Sequence, residues 1–210
     1  QNDIPKLREA YLKVLQVTAF LSFPVAGLIF VLAPDFTKIF LGEKWMPMVP
    51  AMQVLVFAGL VRSIAATSGA IFYGVGKVQL DTRLQIIRFF VLAVLIYPFT
   101  ITWGILGTSI VVFLSIFISN IGFVLMVIKI TKCNIESFLK ALVSPLIGGI
   151  IIVLSILGVK IIMSTGLWQF VAFAFVGALA YFSAIYLLDK FFDFKIQEHI
   201  KGSLRSFEDV

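Results

Sequence analysis

The sequence predicts an all-α membrane protein, a polytopic bundle of six transmembrane helices with both termini cytoplasmic. Three observations carry this prediction. Apolar residues make up 60% of the chain and charged residues 13%, with a mean hydropathy of +1.08; soluble domains run at about 45–50% and about 25%. The apolar residues gather into six runs, each near the roughly 20 residues needed to cross a hydrocarbon core about 30 Å thick. The Lys and Arg residues between those runs collect on alternate links. Lipid does not tolerate unpaired backbone, so each run must be helical. Nothing in the chain shows the ten-residue alternation of a membrane β-barrel.

The first run, Val14–Ala33, carries Thr18, Ser22, Pro24 and Gly27. Pro24 removes a backbone donor, and the carbonyl it frees needs a partner, either at a hinge or at a packing kink. The link that follows, PDFTKIFLGEKWMPMVP, is too polar to span and reads as a short amphipathic helix on the outer surface, ended at Gly42. The second run is Ala51–Tyr73. The third and fourth, Leu84–Trp103 and Ile105–Ile128, are separated by almost nothing, so they must form a tight antiparallel hairpin around Gly104 and Gly107. The fifth, Leu142–Ile162, holds Ser144-Pro145 and Gly148-Gly149, which invite the same two readings as Pro24. The sixth is Trp168–Leu188. After it, Phe192, Ile196, Ile200, Leu204 and Phe207 share a helical stripe with Lys195, Glu198, Lys201 and Arg205 off it, the pattern of an interfacial cytoplasmic helix. The expected organisation is a cytoplasmic link at 1–13, the six-helix region at 14–188 and an interfacial tail at 189–210.

Orientation follows from the cations. Thirteen Lys and Arg residues fall on the side of the termini and only three, Lys38, Lys44 and Lys160, on the other. Basic residues favour the cytoplasmic face, and Trp45, Trp103 and Trp168 on the opposite side match an outer aromatic belt. Lys160, two residues from the end of its run, reads as snorkelling to the interface, and Arg88, about one turn inside its own, reads the same way on the cytoplasmic side.

Several chemistries are excluded. A net charge of +6 is spread over short links and forms no basic face, so no nucleic-acid partner is expected. Single Cys133 and His199 allow no internal disulfide and no metal cluster. Gly74-Val75-Gly76-Lys77 resembles a phosphate loop, but Val78 stands where Ser or Thr is needed and no strand precedes it. No intramembrane His or acid pair could support proteolysis. No cofactor and no enzymatic activity are expected. The opening residues show no signal peptide, and a start at Gln1 reads as a piece of a longer protein.

The most informative residue is Arg62, in the middle of the second run. A cation at mid-bilayer costs roughly 2.5–3.5 kcal/mol on insertion scales, and no Asp or Glu lies inside any of the six runs. Its partner must be backbone, water, protein outside this sequence or an anionic substrate. Gly59, Ala66, Gly69 and Tyr73 share its face, with Ser63 and Thr67 beside it. Arg62, Ser63 and Thr67 are therefore candidate substrate-binding residues, against a structural Arg satisfied by a neighbouring helix. Gly59, Ala66, Gly69 and Tyr73 form a cavity-lining or helix-packing face. Ser115, Ser119 and Asn120 on the fourth run form a second seam, read chiefly as packing.

The elements LREAYLK, SFPVAGLIFVLAPD and LGEKW within residues 1–50, then LVRSIAATSGAIFYGVGK and WGILGTSIVV, resemble prokaryotic polysaccharide flippases of the colanic-acid and teichuronic-acid exporter type. These belong to the multidrug/oligosaccharidyl-lipid/polysaccharide exporter superfamily. The resemblance is by motif over about residues 1–125 and by hydropathy beyond. It implies a two-lobed transporter of which this chain is the C-terminal portion, working by alternating access in the cytoplasmic membrane on a polyprenyl-diphosphate-linked glycan. It further implies membrane lipids, a polysaccharide polymerase and glycosyltransferases as partners, and a cationic cavity that Arg62 fits. The alternatives are a multidrug or small-solute exporter of the same superfamily, in which acids would be expected in the cavity, and a non-transporting membrane scaffold, which has no use for Arg62.

Overall fold

The computed structural model describes residues 4–162 and 166–192. Those residues are helical almost throughout: α1 (Ile4–Phe36), α2 (Val49–Gly74), α3 (Val78–Thr131), α4 (Ile135–Ile162) and α5 (Leu167–Phe192), with no strand among them. Four helical stretches, Ile4–Leu41, Glu43–Gly74, Val78–Thr131 and Ile135–Ile161, are long and apolar enough to cross a membrane, and Trp168–Tyr181 is a shorter apolar helix. This is a multi-pass membrane helical bundle. The expected amphipathic stripe after residue 192 lies outside the described residues.

Helix α3 is not one rod. Its 54 residues would run about 80 Å at the helical rise, far beyond a bilayer. Gly104 breaks it with φ 56° and ψ −134°, a conformation open to glycine and strained for other residues. The two arms then fold back on each other: the Thr100 and Thr108 hydroxyls meet at 2.8 Å, and Leu84 packs onto Gly122, 2.5 Å from where a Cβ would stand. Gly107 has no room for a side chain, because one would overlap the Phe99 carbonyl. The hairpin expected from the three-residue link is therefore the geometry adopted.

Caps close the other turns. At the end of α2, Gly76 (φ 70°) lets Lys77 N–H reach the Phe72 carbonyl at 2.8 Å while Gly76 N–H bonds Tyr73 O at 3.2 Å, the paired-bond ending of a helix on a left-handed residue. Asn134 Oδ1 accepts from Glu136 N–H at 3.2 Å and caps α4. The link after α1 is a π-helical turn, Thr37–Leu41, stopped at Gly42, then a 3₁₀ segment, Glu43–Met48. It does not lie wholly on the surface as expected, since Asp35 and Thr37 are buried.

Helix α1 sits at the centre, flanked by α2 and α4, with α3 packed on the far side of α2 and α5 on α4. Tyr11, Leu15, Phe72, Leu84, Phe123 and Val127 form one core cluster, with Phe72 stacked on Phe123; Phe20, Leu32, Ile152, Ile156, Phe173 and Tyr181 form another, joining α1, α4 and α5. Lipid offers no hydrophobic force between helices, so close approach matters. A Cβ on Gly27 would stand 3.3 Å from the Gly149 carbonyl, and one on Gly148 would stand 2.7 Å from the Tyr181 ring.

The two prolines of α1 have defined consequences. Pro24 deprives the Phe20 carbonyl of its helical donor, and Tyr181 Oη of α5 donates to that oxygen at 2.6 Å. Pro34 does the same to the Phe30 carbonyl, and Gln53 Nε2 of α2 donates to it at 3.0 Å. Each proline bend is thus pinned by a side chain from a different neighbour. The partner that the sequence demanded for the carbonyl freed by Pro24, that of Phe20, is Tyr181.

Candidate functional site

Helix α2 buries Ala58, Ala65, Ser68, Ile71 and Phe72 against its neighbours. Arg62 projects from the opposite side and is exposed, together with Gly59, Ala66 and Tyr73, while Gly69 is half-buried. Nothing lies within 4 Å of the positions a Cβ would take on Gly59 or Gly69. The Gly59 and Gly69 positions of this face are open, while Tyr73 at its end reaches α3. Among the described residues, no hydrogen bond or ion pair engages the Arg62 guanidinium, and no carbonyl of a neighbouring helix caps it.

Arg88, half-buried on the first arm of α3, stands close enough to Arg62 for the two charges to repel. The sequence held the signal: Arg62 and Arg88 lie thirteen residues on either side of Val75, in the turn between α2 and α3, and antiparallel helices set such residues at one depth. Two like charges that near each other repel, the more weakly the more water screens them. An anion between them reverses that sign, and paired guanidinium forks suit phosphate oxygens.

The other candidates separate. Ser63 Oγ donates to the Leu60 carbonyl at 2.8 Å and Thr67 Oγ1 to Ile64 at 2.7 Å, so both hydroxyls are occupied by their own helix. Ser63 and Gly59 also line a groove of about 450 Å³ between α1 and α2, walled mainly by apolar side chains such as Val25, Ile29 and Leu55. Tyr73 Oη donates to Asp81 at 3.3 Å. Ser115, Ser119 and Asn120 are buried in the bundle, with Ser115 bonded to the Val112 carbonyl at 2.8 Å and Ser119 to Ile116 at 3.2 Å. The structure does not bring them to the Arg62 face.

Lys160 overturns its expected role. Its ammonium does not snorkel outward: it forms an ion pair with Asp35, donates to the Val31 carbonyl at 2.7 Å and lies 5.9 Å from the centre of the Phe173 ring. Both side chains are largely buried, 18% and 7% exposed. Sequence reasoning missed this pair because Asp35 follows the end of its apolar run by two residues. Pro34 and the π turn carry it inward beside α4.

Comparison with known proteins adds the following. Residues 1–50 match the family model described as polysaccharide biosynthesis protein. The chain is 31% identical over 110 residues to an uncharacterized membrane protein in the cps region of Klebsiella pneumoniae, covering 52% of this chain and 23% of that protein. It is 29% identical over 90 residues to the lipopolysaccharide biosynthesis protein WzxC of Escherichia coli K12, 43% of this chain and 18% of that protein. It is 33% identical over 75 residues to the teichuronic acid biosynthesis protein TuaB of Bacillus subtilis 168, 35% and 15%. The matched stretches span less than a quarter of each of these relatives. No solved structure matches the chain significantly. The resemblance to polysaccharide exporters of the colanic-acid and teichuronic-acid type is borne out by these likenesses.

Proposed function

We propose that this chain is part of a flippase that moves a lipid-linked oligosaccharide across the cytoplasmic membrane during surface polysaccharide biosynthesis. It acts as a transporter and not as an enzyme. The chain crosses the membrane six times, the two arms of α3 counting as separate spans, with both termini cytoplasmic. It works by alternating access against the rest of the longer protein, drawing on the polyprenyl-diphosphate carrier, membrane lipids and the glycosyltransferases and polymerase that make and use the glycan.

The observation that carries this reading is Arg62, exposed and without a hydrogen-bond or ion-pair partner among the described residues, with the charge of Arg88 near it on α3. A diphosphate cannot enter hydrocarbon with its charge exposed. Two guanidinium groups at one depth offer a place where that charge is stabilised, while the lipid tail remains in the bilayer. The likeness to WzxC and TuaB supports the same substrate class.

The test is export of the glycan by the full-length protein in cells. Arg62→Ala should abolish it with insertion intact, since removing the charge lowers the insertion cost. Arg62→Lys should retain only part, because an ammonium lacks the bidentate fork. Wild-type export by Arg62→Ala would end the substrate-binding reading. Orientation has its own test. An impermeant thiol reagent should reach Glu43→Cys from outside and Glu136→Cys only after permeabilisation. The native Cys133 gives a quiet background, because it is buried and burial pushes its thiol pKa up. The reverse labelling pattern would invert the topology.

A further inference from the structure

A second cationic feature lies away from Arg62. Where the start of α1, the α2–α3 turn and both ends of α3 meet, they enclose a cleft of about 720 Å³. Lys77, Arg83 and Lys129 line it, and Leu7, Leu80 and Met126 are among its apolar walls. All three cationic residues are exposed, and no hydrogen bond or ion pair of the described residues engages their head groups. No acid lines the cleft; the nearby Asp81 carboxylate accepts from Tyr73 instead. The cleft also receives the N-terminal turn of α3, which has no side-chain cap, so the positive end of that helix adds to the field.

We propose that this cleft binds the phosphate of an anionic phospholipid from the adjacent leaflet, with the upper acyl chain against Leu7, Leu80 and Met126. The argument is complementarity. Three unpaired cations on an apolar floor, at helix ends where headgroups lie, match a group with one negative charge above a hydrocarbon chain. Basic pockets between membrane helices recognise lipid headgroups by this combination. None of the cleft residues is shared with the Arg62 face, so the site stands independently of the transport reading.

The experiment is native mass spectrometry of the full-length protein in detergent, titrated with phosphatidylglycerol or phosphatidylcholine. The wild type should retain phosphatidylglycerol preferentially. Each cation removed should weaken that preference about five-fold, since a basic residue near an anionic surface contributes on the order of 1 kcal/mol. The triple variant Lys77→Gln/Arg83→Gln/Lys129→Gln should lose it, and Lys38→Gln/Lys44→Gln, at the other end of the molecule, should keep it. Should the triple variant fail to accumulate, Lys129→Gln alone supplies the five-fold step. Equal retention of the two lipids by the wild type, or full preference in the variants, would overturn the site. Displacement of phosphatidylglycerol by equimolar undecaprenyl phosphate would overturn the phospholipid assignment in favour of the carrier lipid.

Discussion

Lys160 and Arg62 are both cations on helices made for lipid, and the molecule treats them in opposite ways. Lys160 is enclosed: Asp35, the Val31 carbonyl and the Phe173 ring surround it, and α1, α4 and α5 are held together through it. Arg62 has an open face, no described partner and a second cation, Arg88, for company. A charge satisfied inside the chain serves the fold. A charge left without a partner among the described residues is available to one outside them, which is what the proposed substrate reading requires of Arg62.

Melting of the full-length protein in detergent gives the largest effect and the sharpest way to break this contrast. Lys160→Ala strands the buried Asp35 carboxylate and should cost about 3–5 kcal/mol. Lys160→Met with Asp35→Leu should regain most of it, because a well-packed apolar pair removes the stranded charge. Arg62→Ala, on an exposed face, should stay within about 0.5 kcal/mol of the wild type. A large loss at Arg62, or none at Lys160, would mean the two roles are exchanged.

The next effect concerns α1. Tyr181→Phe leaves the Phe20 carbonyl, freed by Pro24, without its donor, at a cost of about 1–3 kcal/mol. Pro24→Ala restores the helical N–H to that carbonyl, so Tyr181→Phe should cost much less in that background. Equal costs in both backgrounds would show that the Tyr181 hydroxyl does not act through the carbonyl that Pro24 frees.

Local chemistry made much of this legible in advance. Gly42 stops the turn after α1, Gly104 reverses α3, and Pro24 announces a carbonyl in need of a donor, because each is a backbone constraint confined to a few residues. The identity of that donor was not legible: Tyr181 lies 161 positions from Phe20, and only packing brings α5 there. The Asp35–Lys160 pair was hidden for a related reason, since hydropathy sets Asp35 outside the apolar run and says nothing of the bend that returns it. Arg62 stands out in the sequence as a charge in mid-run, while its nearness to Arg88 follows only from the pairing of α2 with α3. Depth counted from the α2–α3 turn would have paired the two.

The smallest effect calibrates the comparison, because α4 carries a second ion pair at its other end. Glu136 and Lys140 meet at 2.7 Å, one turn apart and both about two-thirds exposed. The hydrogen bond from Lys140, and then its charge, hold the Glu136 carboxyl below its ordinary value. A depressed carboxyl contributes stability above its unfolded pKa and loses it as pH falls through the folded one. The wild type should therefore melt slightly above Glu136→Gln at neutral pH, and the gap should close in acid. The gap should also shrink in high salt, as for any exposed pair. The Asp35–Lys160 contribution should survive that salt far better, because both side chains are largely buried. If salt weakened the buried pair as much as the exposed one, the enclosure argued for Lys160 would fail, and with it the contrast with Arg62.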